Sequence, residues 1–520
     1  MISTTGQLRS EITFLLVFSI IISTLCPFQY GLHLAELNAP QDMIICETIP
    51  VTDELVSSKL SKSPDCIQMT EAEFAFLTSV YILGGLIGAI LAGPVSSRYG
   101  RLISMRLSCL FFVIGSIVET VSNSVLTMST GRLLNGLGAG TATVVTPLYI
   151  YEIAPPKIRG SLGTMTQIMI CLGILTTQIL GYIFSKDAQW RIIIGFGAGL
   201  GIFSLIALFF IPESPTWLAT NNNLQLAKKT IRRIRGADHP THDEIANWNS
   251  HRDTSTEEDP LLTSSDMDRV RQSGLHNSRN RITNNTELQQ KGFLSLLRDP
   301  SYRPAIFILI GIMFAQQFSG INSINLYSVS LFRGALPVSS ILLTILISGI
   351  NVIVTILCAP LRDIIGNKNC LLISIIGMGS MSLFLAISLI VTKQLLSAIF
   401  VILFVIFFAV GLGPVPFTMA SELVGEEAVS AAQSWSLAGN YIATYIVAQF
   451  FPMVNIWINA KLGGMGWVYF FFAAFLGISA IFVALLVPRS KGKVKTSEVD
   501  GQATGEDITV QDSGGIYQSF

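Results

Sequence analysis

The sequence predicts an all-α membrane protein with twelve transmembrane helices in two six-helix halves. Of its 520 residues, 50% are hydrophobic and only 13% are charged, whereas a soluble domain carries about 25% charge. Apolar runs of roughly 20 residues recur along the chain, and each is long enough to cross the ~30 Å hydrocarbon core as a helix. An internal repeat divides these runs into two sets. Together these features exclude an ordinary soluble enzyme.

The apolar windows are numbered here as spans 1 to 12 in chain order. Spans 1 to 6 are predicted at residues 12–34, 74–94, 104–122, 125–150, 162–184 and 190–212. Spans 7 to 12 are predicted at residues 301–329, 336–360, 369–391, 394–420, 430–455 and 467–488. Span 1 lacks the short cleavable apolar region of a signal peptide. We therefore expect it to be retained as a helix.

Basic residues predict which loops face the cytosol. The loops on one side carry Arg98, Arg101, Arg106, Lys157, Arg159, Arg362, Lys368, Arg489, Lys491, Lys493 and Lys495. The loops on the other side are short and nearly uncharged, apart from residues 39–70. We therefore expect a cytosolic N-terminus at 1–11 and a cytosolic disordered tail at 489–520. The loop 39–70 then faces outside or into a lumen. There Cys46 and Cys66 either pair, if the compartment is oxidising, or stay free thiols.

A polar segment separates the two predicted halves, which span residues 12–220 and 299–488. This linker, residues 221–298, begins with LAKKTIRRIRG, which can form an amphipathic surface helix. Its later part, 250–290, is rich in Ser, Thr, Asn, Asp and Arg, a composition typical of disorder.

The composition argues against nucleic acid, a metal ion or a cofactor as a partner. Lys plus Arg equals Asp plus Glu at 33 each, so no basic excess indicates nucleic acid. The seven Cys form no metal-binding or redox spacing, and no nucleophile motif or phosphate loop is visible. We expect no metal, no cofactor and no enzymatic activity, and a monomer in the lipid bilayer.

An internal repeat relates the halves. RYGR at 98–101 is echoed near Gly366, Glu152 by Glu422, and PESP at 212–215 by PRSK at 488–491, in order and at nearly constant offset. One six-helix unit has therefore been duplicated in parallel. Two such halves around a midplane cavity are the layout of major facilitator transporters, whose halves rock about a central site.

Six motifs occur in order across the chain: GRLLNGLGAG at 131–140, PLYIYEIAPPKIRG at 147–160, QIMICLGILTTQ at 167–178, PESPTWL at 212–218, QQFSGIN at 316–322 and GLGPVPF at 411–417. The ordered set resembles the sugar porter family, which includes facilitative glucose transporters and fungal hexose transporters. The resemblance implies transport of a hexose or related polyol.

Seven uncharged amides fall inside the predicted spans: Gln167, Gln178, Gln316, Gln317, Asn322, Asn351 and Asn440. An amide offers donors and an acceptor without charge, which suits a hexose hydroxyl that would cost ~1 to 3 kcal/mol if buried unpaired. Such amides also hold helices together at roughly 0.6 kcal/mol each. The resemblance favours sugar ligands for five of them and leaves Gln178 and Gln317 open between the two roles.

The family's aromatic platform is altered in this chain. The resemblance places Phe417 where the family has Trp, Tyr441 at the span 11 aromatic, and Tyr327 at one of two span 7 tyrosines, with Leu326 at the other. Phe417 can still stack on a sugar face but has no N–H donor. Pro414 and Pro416 remove backbone hydrogen bonds in span 10 and predict a bend there, either a hinge or a fixed kink.

Charged residues at the cytosolic ends resemble the family's gate. Arg98, Arg101, Glu152 and Arg159 keep the first-half set. The second half keeps Asp363, Lys368 and Glu422, but Ile364, Asn367 and Val429 stand where the family usually has Arg. We therefore expect a weaker latch in the second half.

Two ionisable residues, His33 and Glu36, lie three positions apart in the segment FQYGLHLAELNAPQ at 28–41, which includes the end of span 1. Intramembrane ionisable residues are costly and default to function, and an i,i+3 pair shares a helix face. Alignment on NAPQ places His33 where proton-coupled sugar porters carry Asp and uniporters Asn. A proton-coupling pair and a neutral His with a hydrated Glu36 both remain open.

The sequence thus predicts a secondary transporter working by alternating access, as a uniporter or linked to protons. The alternative is a transporter-like nutrient sensor that binds sugar without appreciable transport.

The linker also contains EEDPLL, with Glu257 four positions before Leu261 and Leu262. It resembles an acidic dileucine signal read by clathrin adaptor complexes, and YQSF at 517–520 resembles a tyrosine-based signal. We favour an endolysosomal or vacuolar membrane, with the plasma membrane and an inert linker as alternatives.

Overall fold

The computed structural model describes residues 13–45, 66–155, 158–184, 189–221, 223–236, 293–331, 340–424, 428–463 and 465–488. In these residues the regular structure is helical, apart from one isolated β-bridge between Ile45 and Ile67. This confirms the all-α prediction. The helices are α1 (Phe14–Ala35), α2 (Gln41–Ile44), α3 (Glu71–Tyr99), α4 (Arg101–Thr120), α5 (Val125–Ile153), α6 (Arg159–Gly163), α7 (Met165–Phe184), α8 (Trp190–Ala207), α9 (Pro215–Thr220), α10 (Leu224–Arg235), α11 (Phe293–Arg298), α12 (Arg303–Gln317), α13 (Ile321–Leu331), α14 (Ser340–Cys358), α15 (Leu361–Ile365), α16 (Asn367–Ile390), α17 (Gln394–Val410), α18 (Pro416–Leu423), α19 (Val429–Leu462) and α20 (Val468–Leu486).

Ten helices among the described residues are long and apolar enough to cross a membrane. They coincide with predicted spans 1 to 6, 8, 9, 11 and 12. Spans 7 and 10 contain the shorter apolar helices α12 and α17, because the helix is interrupted within each of these two spans.

The break in span 10 lies between Val410 and Pro416. Pro416 occupies the first turn of α18, where its missing N–H costs nothing. Gly411 precedes the turn because a Cβ at this position would lie 2.2 Å from the carbonyl oxygen of Cys370. The interruption lies at the predicted bend.

The break in span 7 was not predicted. It separates α12 from α13 at Phe318–Gly320, and Gly320 has φ +93°, a left-handed conformation that favours glycine. Both α12 and α13 pack against α19.

Close helix approach in the first half depends on glycine. A Cβ at Gly140 of α5 would lie 2.0 Å from the carbonyl oxygen of Gly85 on α3. Gly140, the last residue of the GRLLNGLGAG motif, therefore allows α5 to pack closely on α3. The two halves meet chiefly where α19 packs on α3 and α14 packs on α7.

The first linker segment forms the expected surface helix, α10, whose Arg235 donates a 3.1 Å hydrogen bond to the carbonyl oxygen of Ala154. The end of the linker is held by Phe293, which stacks on Trp435 of α19 with ring centroids 4.2 Å apart. Residues 250–290, the tail 489–520, Lys157, Cys46 and the sorting residues Glu257, Leu261 and Leu262 lie outside the described residues. Cys66 is disulfide-bonded.

Candidate sugar site and its gates

Four of the predicted amides form one hydrogen-bonded chain. Asn322 donates to the side-chain oxygen of Gln317, and Gln317 donates to Gln316 over 2.9 Å. Asn440 donates to the same oxygen of Gln316 over 2.7 Å. The chain therefore joins α12, α13 and α19 inside the second half.

Gln316 also reaches the break in span 10. Its amide nitrogen donates to the carbonyl oxygens of Leu412 and Gly413 at 2.8 and 3.1 Å. With two donors and two accepted bonds, the amide has used its full hydrogen-bonding capacity on the protein. In this conformation Gln316 stabilises the broken helix.

The other predicted amides are less engaged. Gln167 on α7 donates to the thiol sulfur of Cys171 at 3.3 Å. Asn351 on α14 accepts a long 3.4 Å bond from Thr355. Gln178 is fully buried, and neither its amide nitrogen nor its oxygen has a partner among the described residues. Because an unpaired buried amide is costly, Gln178 is the amide best placed to gain from a polar ligand or water.

The predicted aromatics lie at the junction of the halves. Tyr441 is buried against Gly85 of α3, its hydroxyl lies 3.2 Å from Thr143 Oγ1, and its ring makes an edge contact with Tyr30. Phe417 is buried and lines a cavity of about 190 Å³. The side chain of Tyr327 lies outside the described residues.

The cavity opens between the halves at the end of the bundle that carries the predicted cytosolic loops, called the basic end below. The cavity is lined by Phe417 together with Arg159, Glu422, Thr418 and Gln433. Two predicted gate residues, Arg159 and Glu422, therefore lie beside a predicted sugar-stacking residue, Phe417. Beside it, Arg362 on α15 donates to the carbonyl oxygen of Gly160 on α6. Arg362 thus joins the two halves, a role not predicted from the sequence.

The halves also touch at the other end of the bundle, called the opposite end below. Ser79 of α3 donates to Gln449 of α19 at 2.7 Å. Asn38, just after α1, donates to the carbonyl oxygen of Asn325 on α13 at 3.1 Å. The amide chain thus lies between contacts at both ends.

The first-half gate residues separate into two sets. Arg101 binds both carboxylate oxygens of Glu152, at 3.0 and 2.7 Å, and both side chains are buried. Arg98 is exposed, and Arg159 lies over the ring of Tyr151. The buried bidentate pair therefore joins α4 to α5 within one half.

Glu213, which follows α8 in the PESP motif, caps this arrangement. Its carboxylate accepts the backbone N–H groups of Arg101, Leu102 and Ser214 at 3.0, 3.1 and 2.9 Å. Burial raises the pKa of Glu213 above its ordinary value, and these backbone donors oppose the rise. The carboxylate satisfies the free donors that begin α4.

In the second half, Asn367 occupies the place of the missing arginine as a hydrogen-bond donor to Glu422. Lys368 instead donates to the carbonyl oxygen of Ala484 at 2.8 Å. The side chain of Asp363 lies outside the described residues. A neutral amide therefore contacts the second-half glutamate.

His33 and Glu36 are fully buried, with His33 Nδ1 2.8 Å from Glu36 Oε2. The structure therefore contradicts the alternative of a hydrated Glu36 at the mouth of the bundle. Arg132 of α5 binds the other oxygen, Glu36 Oε1, at 2.6 Å and donates to the carbonyl oxygen of His33 at 2.8 Å. Its guanidinium lies 4.5 Å from the ring centroid of Tyr81.

Glu119 of α4 is a second buried carboxyl at this place. Asn135 donates to its Oε1 at 2.7 Å, whereas its Oε2 has no hydrogen-bond partner among the described residues. The carboxyl groups of Glu119 and Glu36 interact with each other and with Arg132. His33, Glu36, Glu119 and Arg132 are called the charged cluster below.

Glu119 and Arg132 were missed as candidates from the sequence. Each is a charged residue inside a predicted apolar span, and that position alone is a signal of function. Arg132 lies within the GRLLNGLGAG motif, which entered the prediction only through the family resemblance.

Comparison with known proteins identifies the family. The model of the family described as "Sugar (and other) transporter" matches residues 19–497. The chain belongs to this family. It is 34% identical to a probable metabolite transport protein of Saccharomyces cerevisiae over 95% of this chain and 96% of the relative. It is 29% identical to vacuolar protein sorting-associated protein 73 of the same yeast, over 94% and 97%.

A solved structure supports the fold. The proton:xylose symporter XylE bound to 6-bromo-6-deoxy-D-glucose superposes with a TM-score of 0.72 at 22% identity, over 92% of this chain and 97% of that one. The predicted major facilitator fold is confirmed. The chain is a multi-pass membrane protein of a family of sugar transporters.

Proposed function

We propose that this protein moves a hexose or a related polyol across a membrane by alternating access. The observation that carries the proposal is the set of buried, uncharged amides at and near the junction of the halves, where Gln178 has no hydrogen-bond partner among the described residues. Amides can exchange hydrogen bonds with sugar hydroxyls without the cost of moving a buried charge. Tyr441 and Phe417 supply apolar faces for the ring.

Gln316 offers a route from binding to movement. Its nitrogen holds the carbonyls of Leu412 and Gly413 in the break of span 10. A sugar hydroxyl that competes for this amide would release those carbonyls and free α18 to pivot about the break. The two prolines then act as a hinge rather than as a fixed kink.

The gates follow from the contacts between the halves. Opening at the basic end requires loss of the bond from Arg362 to Gly160. Opening at the opposite end requires loss of the bonds from Ser79 to Gln449 and from Asn38 to Asn325. The remaining gate residues, Arg101 with Glu152 and Asn367 with Glu422, support the gate from within each half.

Exchange across a bilayer tests the proposal. Proteoliposomes containing the purified full chain are loaded with unlabelled D-glucose, D-mannose, D-fructose, D-xylose or myo-inositol, and entry of the same labelled compound is followed. We expect transient accumulation of at least one compound by counterflow. Saturable binding without counterflow would favour the nutrient-sensor alternative, and neither binding nor counterflow would contradict both.

The membrane address is part of the proposal. The yeast relative named for vacuolar protein sorting and the EEDPLL motif favour a vacuolar or endolysosomal membrane, with basic loops and both termini in the cytosol. Replacing Leu261 and Leu262 by Ala should move a tagged protein towards the cell surface if a clathrin adaptor reads the motif. A distribution identical to that of the unmodified protein would remove the sorting role.

A further inference from the structure

The charged cluster has an uneven count of charges. Arg132 contributes one positive charge, while Glu36 and Glu119 contribute two negative charges when both are ionised. All four side chains of the cluster, including His33, have at most 1% of their surface exposed. An uncompensated charge in such a site is costly. One added proton makes the cluster neutral.

Glu36 is not the group that takes this proton. Its Oε1 accepts from Arg132 at 2.6 Å and its Oε2 lies 2.8 Å from His33 Nδ1. Both oxygens are therefore occupied by donors, which stabilise the ionised form.

His33 contacts Glu36 through Nδ1 and Phe112 through the face of its ring. Its Nε2 has only a long 3.4 Å contact with Ser116 Oγ, and its ring stacks on Phe112 with centroids 5.3 Å apart. The guanidinium of Arg132 already binds the carbonyl oxygen of His33.

Glu119 has a carboxyl oxygen, Oε2, at which a proton can bind. Asn135 occupies Oε1, while Oε2 is buried without a partner among the described residues. When Oε2 carries a proton it can donate to the carboxylate of Glu36, with which Glu119 interacts. Protonation thus removes a charge and satisfies an unpaired oxygen together.

The neighbouring elements supply the other polar groups. They are Ser116 on α4, Arg132 and Asn135 on α5, His33 and Glu36 at the end of α1, and Tyr81 on α3. From α8, Arg191 donates to the carbonyl oxygens of Thr120 and Ser122 at 2.7 and 2.8 Å, next to Glu119. Thr120 ends α4, so the cluster lies near the opposite end of the bundle.

We propose that Glu119 is the proton-binding residue of a proton-linked carrier, an inference that rests on the transport function proposed above. A proton from water at the opposite end binds Oε2 of Glu119, and release returns it to water; no other bond forms or breaks covalently. Arg132 keeps Nε and Nη2 without hydrogen-bond partners among the described residues. These donors turn to the Glu119 carboxylate when the proton leaves.

That movement reaches the contact between the halves. Arg132 binds both the side chain of Glu36 and the backbone of His33, at the end of α1. Two residues beyond Glu36, Asn38 donates to the carbonyl oxygen of Asn325 on α13, the helix that carries Asn322. Loss of the proton therefore displaces the end of α1 and strains the hydrogen bond from Asn38 to Asn325. This bond closes the opposite end of the bundle beside the amide chain.

The test separates the proton site from the sugar site. In proteoliposomes, a compound that shows counterflow should accumulate under an imposed pH gradient. Glu119→Gln should retain counterflow and lose accumulation completely, because the amide cannot exchange a proton. Glu71→Gln, at an exposed carboxyl of α3, is the matched control and should accumulate as the unmodified protein does.

Glu119→Asp keeps a carboxyl if the Gln variant folds poorly, and we expect it to shift the pH of half-maximal accumulation. Counterflow without pH-driven accumulation in the unmodified protein, or accumulation by Glu119→Gln, would overturn the proton site and leave transport standing. If no compound shows counterflow, infrared difference spectra against pH still decide. The carbonyl band of a protonated acid should be present in the unmodified protein and absent from Glu119→Gln; its persistence overturns the assignment.

Discussion

The two halves differ in what they bury. The first half encloses ions: a guanidinium, two carboxyls and an imidazole, all inside α1, α4 and α5 or at their ends. The second half encloses a chain of neutral amides on α12, α13 and α19. The difference matches the division of labour proposed above, in which the ionic cluster of the first half binds a proton and the neutral amides of the second half bind sugar hydroxyls.

The largest effect should come from removing the cation of the charged cluster. Arg132→Met leaves the buried Glu36 carboxylate without its counter-ion, which typically costs 3–5 kcal/mol. We expect a marked fall in unfolding temperature and in the folded fraction, measured by thermal unfolding and size-exclusion chromatography in detergent.

Two variants sharpen this expectation. Arg98→Met removes an exposed arginine at the basic end and should change stability by less than about 0.5 kcal/mol. Adding Glu36→Gln to Arg132→Met removes one unpaired charge and should restore part of the loss, as a double-mutant cycle would show. Equal stability of Arg132→Met and the unmodified protein would contradict the ionic cluster.

The amides of the second half should show a smaller effect that depends on their partners. Gln316→Ala removes bonds to Leu412, Gly413, Gln317 and Asn440, so both unfolding temperature and sugar affinity should fall. Competitive binding and thermal unfolding measure the two quantities on the same preparation.

Gln178→Ala distinguishes an amide that binds sugar from an amide that only holds helices together. Its amide has no hydrogen-bond partner in the part of the chain that the structure describes, so affinity should fall about tenfold, equivalent to ~1.4 kcal/mol, with no fall in unfolding temperature. Gln167→Ala and Asn322→Ala should also weaken binding about tenfold. Unchanged affinity in all three would make these amides helix contacts instead.

The smallest effect concerns the second-half latch. Asn367→Arg replaces the neutral amide beside Glu422 by a cation, and an exposed pair of this kind contributes about 0.2–1 kcal/mol. The rate of counterflow should therefore fall by no more than about fivefold. Asn369→Arg, two positions away and exposed, adds the same charge and should leave the rate unchanged; an equal fall in both variants would assign the effect to charge alone.

Local sequence predicted the features that depend on local physics. Runs of apolar residues predicted the spans, and Pro414 with Pro416 predicted the break in span 10, because proline removes a backbone donor wherever it stands. The break at Gly320 was missed because a glycine in an apolar run does not reveal a left-handed turn. Glu119, Arg132 and Glu36 come from three separate spans, so only the fold brings them together. The sequence predicted a weaker second latch, but not that Asn367 itself contacts Glu422.

The charged cluster also has a consequence for synthesis of the protein. A charged side chain opposes membrane insertion of a lone helix by about 2.5–3.5 kcal/mol at the helix centre and by less towards the helix ends, where Glu36, Glu119 and Arg132 lie. Span 1 enters with Glu36, span 3 with Glu119 and span 4 with Arg132, so the first two carboxyls wait for their cation until the fourth span is made. Early spans of this half therefore have to remain together at the site of insertion, whereas the neutral spans of the second half can enter the bilayer one at a time.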